Sequence, residues 1–169
     1  SQGTLAAVTS VTFTGVTPKT HSRMIVMFVP STVHLGEIVV RMLNHKPETL
    51  ESYDDNTFKI AIKFFKDIAL RMGGNMFTLG FQFLPEFWMV LTGGVPKIIL
   101  MAEFAADTEE EVEKQVQDAY LDMKSFGLPI KRTKSAGESK KYWTFRRESF
   151  NLLRKRLQGM RTAPTIDDL

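Results

Sequence analysis

The residues with the clearest chemical potential lie in a basic stretch near the end of the sequence. Residues 131–161 contain 11 of the 22 lysines and arginines but only two acids, Glu138 and Glu148. Arginine presents a planar fork of N–H donors that matches the two oxygens of a carboxylate. The stretch therefore favours an anionic ligand or an acidic partner surface, with a solvated helix face as the alternative.

Arg146 stands out within this stretch because of its place on a predicted helix. At about 100° per residue, it falls inside an apolar stripe. The stripe consists of Trp143, Phe150, Leu153 and Leu157. A guanidinium on an apolar face is costly unless a carboxylate meets it, so we predict that Arg146 points to a bound organic acid. Arg147 is the other candidate. The alternatives are that Arg146 extends to solvent or pairs with an acid of the same chain.

Several other kinds of site have no support in the sequence. The absence of cysteine excludes disulfides, thiolate nucleophiles and cysteine-ligated zinc. Glycine-rich phosphate loops and the GxSxG and HExxH motifs are missing. His21, His34 and His45 have no second ligand at a convincing spacing, so we predict no metal site. Asp54 and Asp55 are predicted to cap a helix or to lie in a turn.

The size and composition of the chain fit a single domain with a substantial core. It has 169 residues, of which 43% are hydrophobic and 24% are charged. Residues 1–7 do not resemble a signal peptide, and residues 76–91 are shorter than the roughly 20 apolar residues of a membrane span. No strand carries an RNP1-like aromatic pattern, so nucleic-acid binding is not expected. We expect a cytoplasmic protein.

The apolar pattern predicts alternating strands and helices. Strands are predicted at residues 8–16, 23–29, 49–53, 97–104 and 128–133, and helices at 33–45, 56–72, 109–126 and 138–157. Thr108 and Glu111 form a capping-box pattern before the third helix, and Gly127 ends it. The order predicts an α+β fold of the ferredoxin-like split βαβ type, with an antiparallel sheet, helices on one face and an insertion at about residues 73–94.

Short motifs at both ends and in the middle of the chain resemble one family. The opening SQGTLAAVT is similar to a G-S-E-G-T-L-G-x-x-T segment, with Gln2 in place of Glu and Ala6 in place of Gly. Residues 95–112, the WTFRR segment at 143–147 and the tail at 161–168 resemble later parts of the same family. These are the FAD-linked oxidases of the vanillyl-alcohol-oxidase superfamily, which include the glycolate oxidase flavin subunit and the D-lactate and D-2-hydroxyglutarate dehydrogenases.

The resemblance implies a division of the chain and a role for particular residues. Residues 1–21 would end an FAD-binding domain, residues 22–157 would form the cap that covers the substrate, and residues 158–169 would lead back toward the flavin. Arg146 matches the family arginine that binds the substrate carboxylate, with Trp143 and Arg147 beside it. Gly3 and Thr4 would lie near the flavin in the complete enzyme.

The resemblance implies a parent enzyme that oxidises a small 2-hydroxy acid by hydride transfer to FAD. The flavin domain expected before Ser1 and the H-x-G-D-G-N-x-H segment with catalytic histidines are not in this sequence. We therefore expect a fragment that has no catalytic residue of its own, holds no FAD and is inactive alone, and whose partner is the FAD-binding domain. The alternative is a free-standing ferredoxin-like module that binds an anion or a protein through residues 73–94. Contact of that segment with a membrane surface is a lesser alternative.

Overall fold

The computed structural model of the chain describes residues 7, 9–63, 94–140, 142–144 and 146–147. The strands are β1 (His21–Val29), β2 (Thr49–Asp54), β3 (Ile98–Ala106) and β4 (Ile130–Arg132). The helices are α1 (Leu35–Asn44), α2 (Asp55–Lys63) and α3 (Glu109–Met123), and α3 is followed by a 3-10 turn at Lys124–Phe126. Residues 136–140, 142–144 and 146–147 are also helical and are called the C-terminal helix below.

The four strands form one antiparallel sheet in the order β2-β3-β1-β4. Helix α1 connects β1 to β2 and α3 connects β3 to β4, and in each unit the two connected strands are separated by one other strand. This is the ferredoxin-like arrangement of two split βαβ units. The predicted α+β fold class is therefore confirmed.

The first face of the sheet packs against α1 and α3. Alternate residues of the central strands β1 and β3 point to this side, as the pleat of a strand requires. The buried cluster here contains Ile25, Met27, Val29, Ile38, Met42, Leu100, Ala102, Phe104, Ala106, Val112, Val116, Ala119 and Met123. The start of α3 agrees with its predicted cap, because the Glu111 N–H donates to Thr108 Oγ1 over 3.3 Å.

The second face of the sheet is covered as well, by α2 and the C-terminal helix. Its buried cluster contains Met24, Val26, Phe28, Tyr53, Phe58, Ile99, Met101 and Tyr142. The sequence pattern predicts helices on one face only, whereas the structure has helices on both faces. The cause is visible in β1, which is buried on both sides from Arg23 to Val29, so each face needs its own cover.

Local signals explain how α2 begins. Asp54 Oδ1 accepts a hydrogen bond of 2.8 Å from the Thr57 N–H, which confirms that this acid caps a helix. Hydrogen bonding from Thr57 also holds the pKa of Asp54 below its usual value. Asp55 Oδ2 lies 2.8 Å from Lys59 Nζ and 3.4 Å from Lys97 Nζ. The contact with Lys97 attaches the first turn of α2 to the residue just before β3.

The strand predicted at residues 8–16 is wrong over the described residues 9–16. These residues form neither a strand nor a helix, and the side chains of Phe13 and Val16 are 86% and 88% exposed. Alternation of apolar and hydroxyl side chains fits a strand, but a strand also needs a neighbour to pair with. Lys19 and Thr20 fix the end of this segment by bonding to Asp107.

Other predicted features lie outside the described residues. These are the part of the second predicted helix after residue 63, the insertion at 73–94 apart from Gly94, the last helix beyond Arg147, and the segment at 158–169. Within the described part of the chain, no helix combines the length and the apolar character needed to cross a bilayer.

Candidate substrate-binding site

Polar side chains gather on the second face of the sheet, near the β2 edge. Thr49 pairs with Glu103 of β3, and Glu51 pairs with Met101. Met101 belongs to the buried cluster of the second face, so Glu51, Thr49 and Glu103 lie on the same side by the alternation of strand residues. We call Thr49, Glu51, Glu103 and Arg146 the polar corner.

Arg146 joins this corner through an ion pair with Glu51. The Arg146 Nη2 to Glu51 Oε2 distance is 2.6 Å, and the two side chains are 42% and 36% exposed. One of the alternatives in the sequence analysis, pairing with an acid of the same chain, is thus present in the structure. An ion pair this exposed contributes about 0.2–1 kcal/mol, because water screens it and both side chains lose freedom. Another carboxylate can therefore compete for the guanidinium.

The C-terminal helix carries Arg146 across the sheet. At the β4 edge, Ser139 and Thr133 join their hydroxyls at 2.8 Å, and Thr133 Oγ1 accepts a bond of 2.8 Å from the Met24 N–H. Tyr142 is 2% exposed and packs in the middle of the second face. The helix therefore begins near β4, and Arg146 reaches Glu51 at the β2 edge.

The three residues predicted to bind substrate have different surroundings. Trp143 is partly buried and packs against the cluster of the second face, whereas Arg146 and Arg147 are both exposed. Arg146 forms an ion pair with Glu51, which lies on the sheet. The structure thus brings Trp143 and Arg146 to the second face, and the choice between the two arginines as ligand anchor stays a prediction.

Two members of the polar corner were missed by sequence reasoning. Thr49 Oγ1 is buried and has no hydrogen-bond partner. Glu103 is partly buried on a central strand, and no hydrogen bond or ion pair joins its carboxylate to another described residue. A signal for Glu103 was available, because it is the single charged residue in the apolar run IILMAEFAA of β3. Thr49 gives no such signal.

The motifs at the ends and in the middle of the chain agree with a direct comparison to protein families. Residues 18–169 match the family model described as FAD linked oxidases, C-terminal domain. The chain belongs to this family. The match covers every strand and helix described above, and it confirms the predicted family at this level. No curated protein matches the chain at a significant level.

Membership among the FAD-linked oxidase C-terminal domains indicates an oxidoreductase parent that uses FAD. Gly3 and Thr4, the two residues that the resemblance places near the flavin, lie outside the described residues. Among the described residues, no group of three histidine, aspartate or glutamate side chains is arranged to hold a metal ion.

Much of the described basic stretch of this FAD-linked oxidase domain is paired internally. Lys131 lies 3.3 Å from Glu138, and Arg132 bonds to Gln117 while its guanidinium lies over the ring of Tyr120 at 4.7 Å. The Glu138 carboxylate offsets the charge of Lys131, and the contacts of Arg132 occupy part of its guanidinium without neutralising it. The stretch thus presents less of an anionic-ligand surface than its composition indicates.

The first face of the domain has a different electrostatic character. Arg23 is largely buried, and its Nε and Nη2 donate to Glu113 at 2.8 Å and to Glu109 at 2.5 Å. This cluster lines an open cavity of about 590 Å³ between α3 and β4. Because both acids of α3 already bind Arg23, the cluster attaches β1 to the beginning of α3 and leaves little binding capacity.

A second paired cluster joins α1 to α3. Asp122 accepts bonds from Arg41 Nε at 2.9 Å and Nη2 at 2.5 Å, and its other oxygen lies 2.8 Å from His45 Nε2. Arg41 and His45 together hold the pKa of Asp122 below its usual value. The Arg41 guanidinium also lies 5.2 Å from the ring centre of Phe126. The cluster therefore stabilises the helix layer.

Proposed function

We propose that this chain is the substrate-binding cap domain of an FAD-dependent oxidoreductase that oxidises a small 2-hydroxy acid of the D-lactate or glycolate type. The observation that carries the proposal is the position of Arg146. It lies in a W-x-x-R segment and belongs to a chain of the FAD-linked oxidase family. It also forms a partly exposed ion pair with Glu51, on the face of the sheet opposite α1 and α3.

In the proposed reaction the cofactor accepts the hydride and the residues of this chain bind the substrate. Oxidation of a 2-hydroxy acid removes a hydride from C2 and a proton from the hydroxyl, and leaves the 2-oxo acid. FAD, when bound in the complete enzyme, supplies the acceptor for the hydride. The residues of this chain bind and orient the acid, since Arg146 can fix a carboxylate in one plane and Trp143 provides an apolar wall beside it.

Binding of a substrate carboxylate requires a change at Glu51. The Arg146 guanidinium is bonded to Glu51 at 2.6 Å, so an incoming carboxylate must share or replace that bond. The partial exposure of both side chains makes the exchange inexpensive, because water can solvate the released Glu51. Glu51 thereby acts as an internal competitor of the substrate.

The proposal also gives the chain a partner, the FAD-binding domain of the same protein. Support comes from the segment before β1, where Val11, Phe13 and Val16 are 59%, 86% and 88% exposed. Three large apolar side chains exposed within six residues of an extended segment are typical of a surface that another domain covers. The resemblance places this segment at the junction with the flavin domain.

The experiment that tests the proposal uses the protein extended to its natural ends. Its visible absorption is recorded alone and with D-lactate, glycolate and D-2-hydroxyglutarate. We expect a flavin spectrum that bleaches with one of these acids, and loss of bleaching in Arg146→Ala. Lys59→Ala removes an exposed cation on α2 and should bleach normally.

Two outcomes would contradict the proposal. A colourless protein with no flavin domain would indicate the free-standing anion- or protein-binding module instead. A flavin that bleaches equally well in wild type and Arg146→Ala would keep the family but remove Arg146 as the carboxylate anchor. In that case Arg147→Ala becomes the variant to examine.

A further inference from the structure

Two neighbouring polar groups on the second face have no hydrogen-bond partner among the described residues. Thr49 Oγ1 is buried and unbonded there. The Glu103 residue is only partly buried, and its carboxylate has no ion pair or hydrogen bond to another described residue. Buried polar atoms are nearly always bonded, since an unbonded one forfeits its contacts with water. The buried Thr49 hydroxyl beside the partly exposed Glu103 carboxylate therefore indicates a place where a ligand can bind.

The two groups face each other across neighbouring strands. Thr49 and Glu103 are register partners in β2 and β3. Side chains at such positions have Cβ atoms about 4.5–5.5 Å apart, so a single polar group of a ligand that reaches one of them is close to the other. Thr49 can donate or accept a hydrogen bond, whereas an ionised Glu103 only accepts. The ligand atom between them must therefore carry a hydrogen, as a hydroxyl does.

This pair of residues lies next to the proposed carboxylate anchor. Glu51 is two residues from Thr49 on β2 and is the diagonal neighbour of Glu103. Diagonal neighbours on a sheet are about 7–8 Å apart, within reach of long side chains. The Arg146 guanidinium, bonded to Glu51, therefore lies on the same face and at the same edge of the sheet as Thr49 and Glu103.

We infer that Thr49 and Glu103 bind the 2-hydroxyl of the substrate whose carboxylate is held by Arg146. The inference rests on the proposed function and deepens it, because it explains why the site would select a 2-hydroxy acid over a simple carboxylic acid. A site built to bond a hydroxyl rejects the analogue that lacks it, since its own polar groups are then left without a partner. In this scheme Glu103 and Thr49 bind the hydroxyl of the substrate. Glu51 competes with the substrate carboxylate for Arg146 and so lowers the affinity for the substrate.

The test compares two ligands that differ by one hydroxyl. The protein extended to its natural ends is assayed with the acid that bleaches its flavin, and the matching acid without the 2-hydroxyl is used as a competitive inhibitor. The pairs are lactate with propionate, glycolate with acetate, and 2-hydroxyglutarate with glutarate. The variants are Glu103→Met, Glu103→Gln and Thr49→Val, which keep side-chain size while removing or weakening the bonding group.

We expect Glu103→Met to lower kcat/KM for the hydroxy acid by about tenfold or more, as loss of a hydrogen bond to a charged group implies. The inhibition constant of the deoxy acid should stay within about twofold, because that acid never used Glu103. Glu103→Gln should lie between wild type and Glu103→Met. Thr49→Val should give a smaller loss in kcat/KM and the same unchanged inhibition constant.

Controls separate this inference from the proposed function. Glu110→Met makes the same exchange on an exposed residue of α3 and should change neither constant. Arg146→Ala should weaken the deoxy acid, and if it does not, the proposed function fails together with the inference. If Arg146→Ala weakens the deoxy acid but Glu103→Met and Thr49→Val change both ligands equally or change neither, the inference alone is wrong. An enzyme that binds hydroxy and deoxy acids equally well would overturn it too.

Discussion

The two sides of the sheet differ in how completely their charged side chains are paired. On the first face Arg23 is largely buried and bonded to two acids of α3, and Asp122 is bonded to both Arg41 and His45. On the second face Arg146 forms an exposed ion pair with Glu51, and Glu103 has no partner among the described residues. Satisfied charges fix a structure, whereas weakly paired ones can exchange with a ligand. We therefore expect the first face to stabilise the fold and the second face to bind the ligand.

The largest expected effect contrasts two adjacent residues that point to opposite faces. Phe104 is 1% exposed in the first-face cluster, so Phe104→Ala should cost about 3–5 kcal/mol in the free energy of unfolding. Glu103→Met removes an unpaired carboxylate and should leave stability within about 0.5 kcal/mol of wild type or raise it. Urea unfolding followed by circular dichroism measures both. Equal losses in the two variants would remove the contrast between the faces.

A smaller difference is expected between the two arginines. Arg23→Met should cost about 1.5–3 kcal/mol, since it removes charged hydrogen bonds from a largely buried group. Arg146→Met should cost about 0.2–1 kcal/mol because its pair with Glu51 is exposed. The same unfolding experiment applies. A greater loss in Arg146→Met than in Arg23→Met would mean that Arg146 is chiefly structural.

Acid should act on the first face through Asp122. Its pKa is lower in the folded state, so the stability it contributes is present above the unfolded value of about 3.9 and is lost as the pH falls toward the folded pKa. Asp122→Asn should therefore be less stable than wild type at neutral pH, and the difference should shrink below about pH 4. Melting temperatures measured from about pH 3 to about pH 7 for both proteins check this. A constant difference across that range would contradict it.

The smallest expected effect is on the KM of a Glu51 variant, and it tests whether the second face binds the substrate. Glu51→Gln removes the internal competitor for Arg146, so the KM for the acid substrate should fall by about two- to fivefold. The free energy of unfolding should change by less than about 1 kcal/mol. Steady-state kinetics with the acid that bleaches the flavin provide the measurement. A rise in KM would show that Glu51 orients Arg146 instead of competing with the substrate.

Features with local causes were predictable from the sequence. Thr108 caps α3 and Asp54 caps α2 because the capping bond spans only three residues. The continuous apolar run at residues 23–29 predicted a strand, and the structure has β1 there. The sheet order then followed from the alternation of strands and helices.

Features that depend on distant partners were not predictable in the same way. The strand predicted at residues 8–16 was wrong because alternation does not supply a neighbouring strand. The pair between Arg146 and Glu51 depends on how the C-terminal helix crosses the sheet, which no local pattern encodes. Glu103 could have been noticed inside its apolar run, whereas the orphaned Thr49 hydroxyl appears only once the strands are in register.

The C-terminal helix is attached to the sheet near both of its described ends, by Ser139 to Thr133 at one edge and by Arg146 to Glu51 at the other. A ligand that takes Arg146 from Glu51 removes the second attachment and leaves the first. Amide hydrogen exchange should then quicken at residues 146–147 and stay unchanged at 136–140 when the acid binds, because Tyr142 and Trp143 still pack against the second face. Deuterium uptake by these amides would therefore measure ligand binding without requiring catalytic turnover.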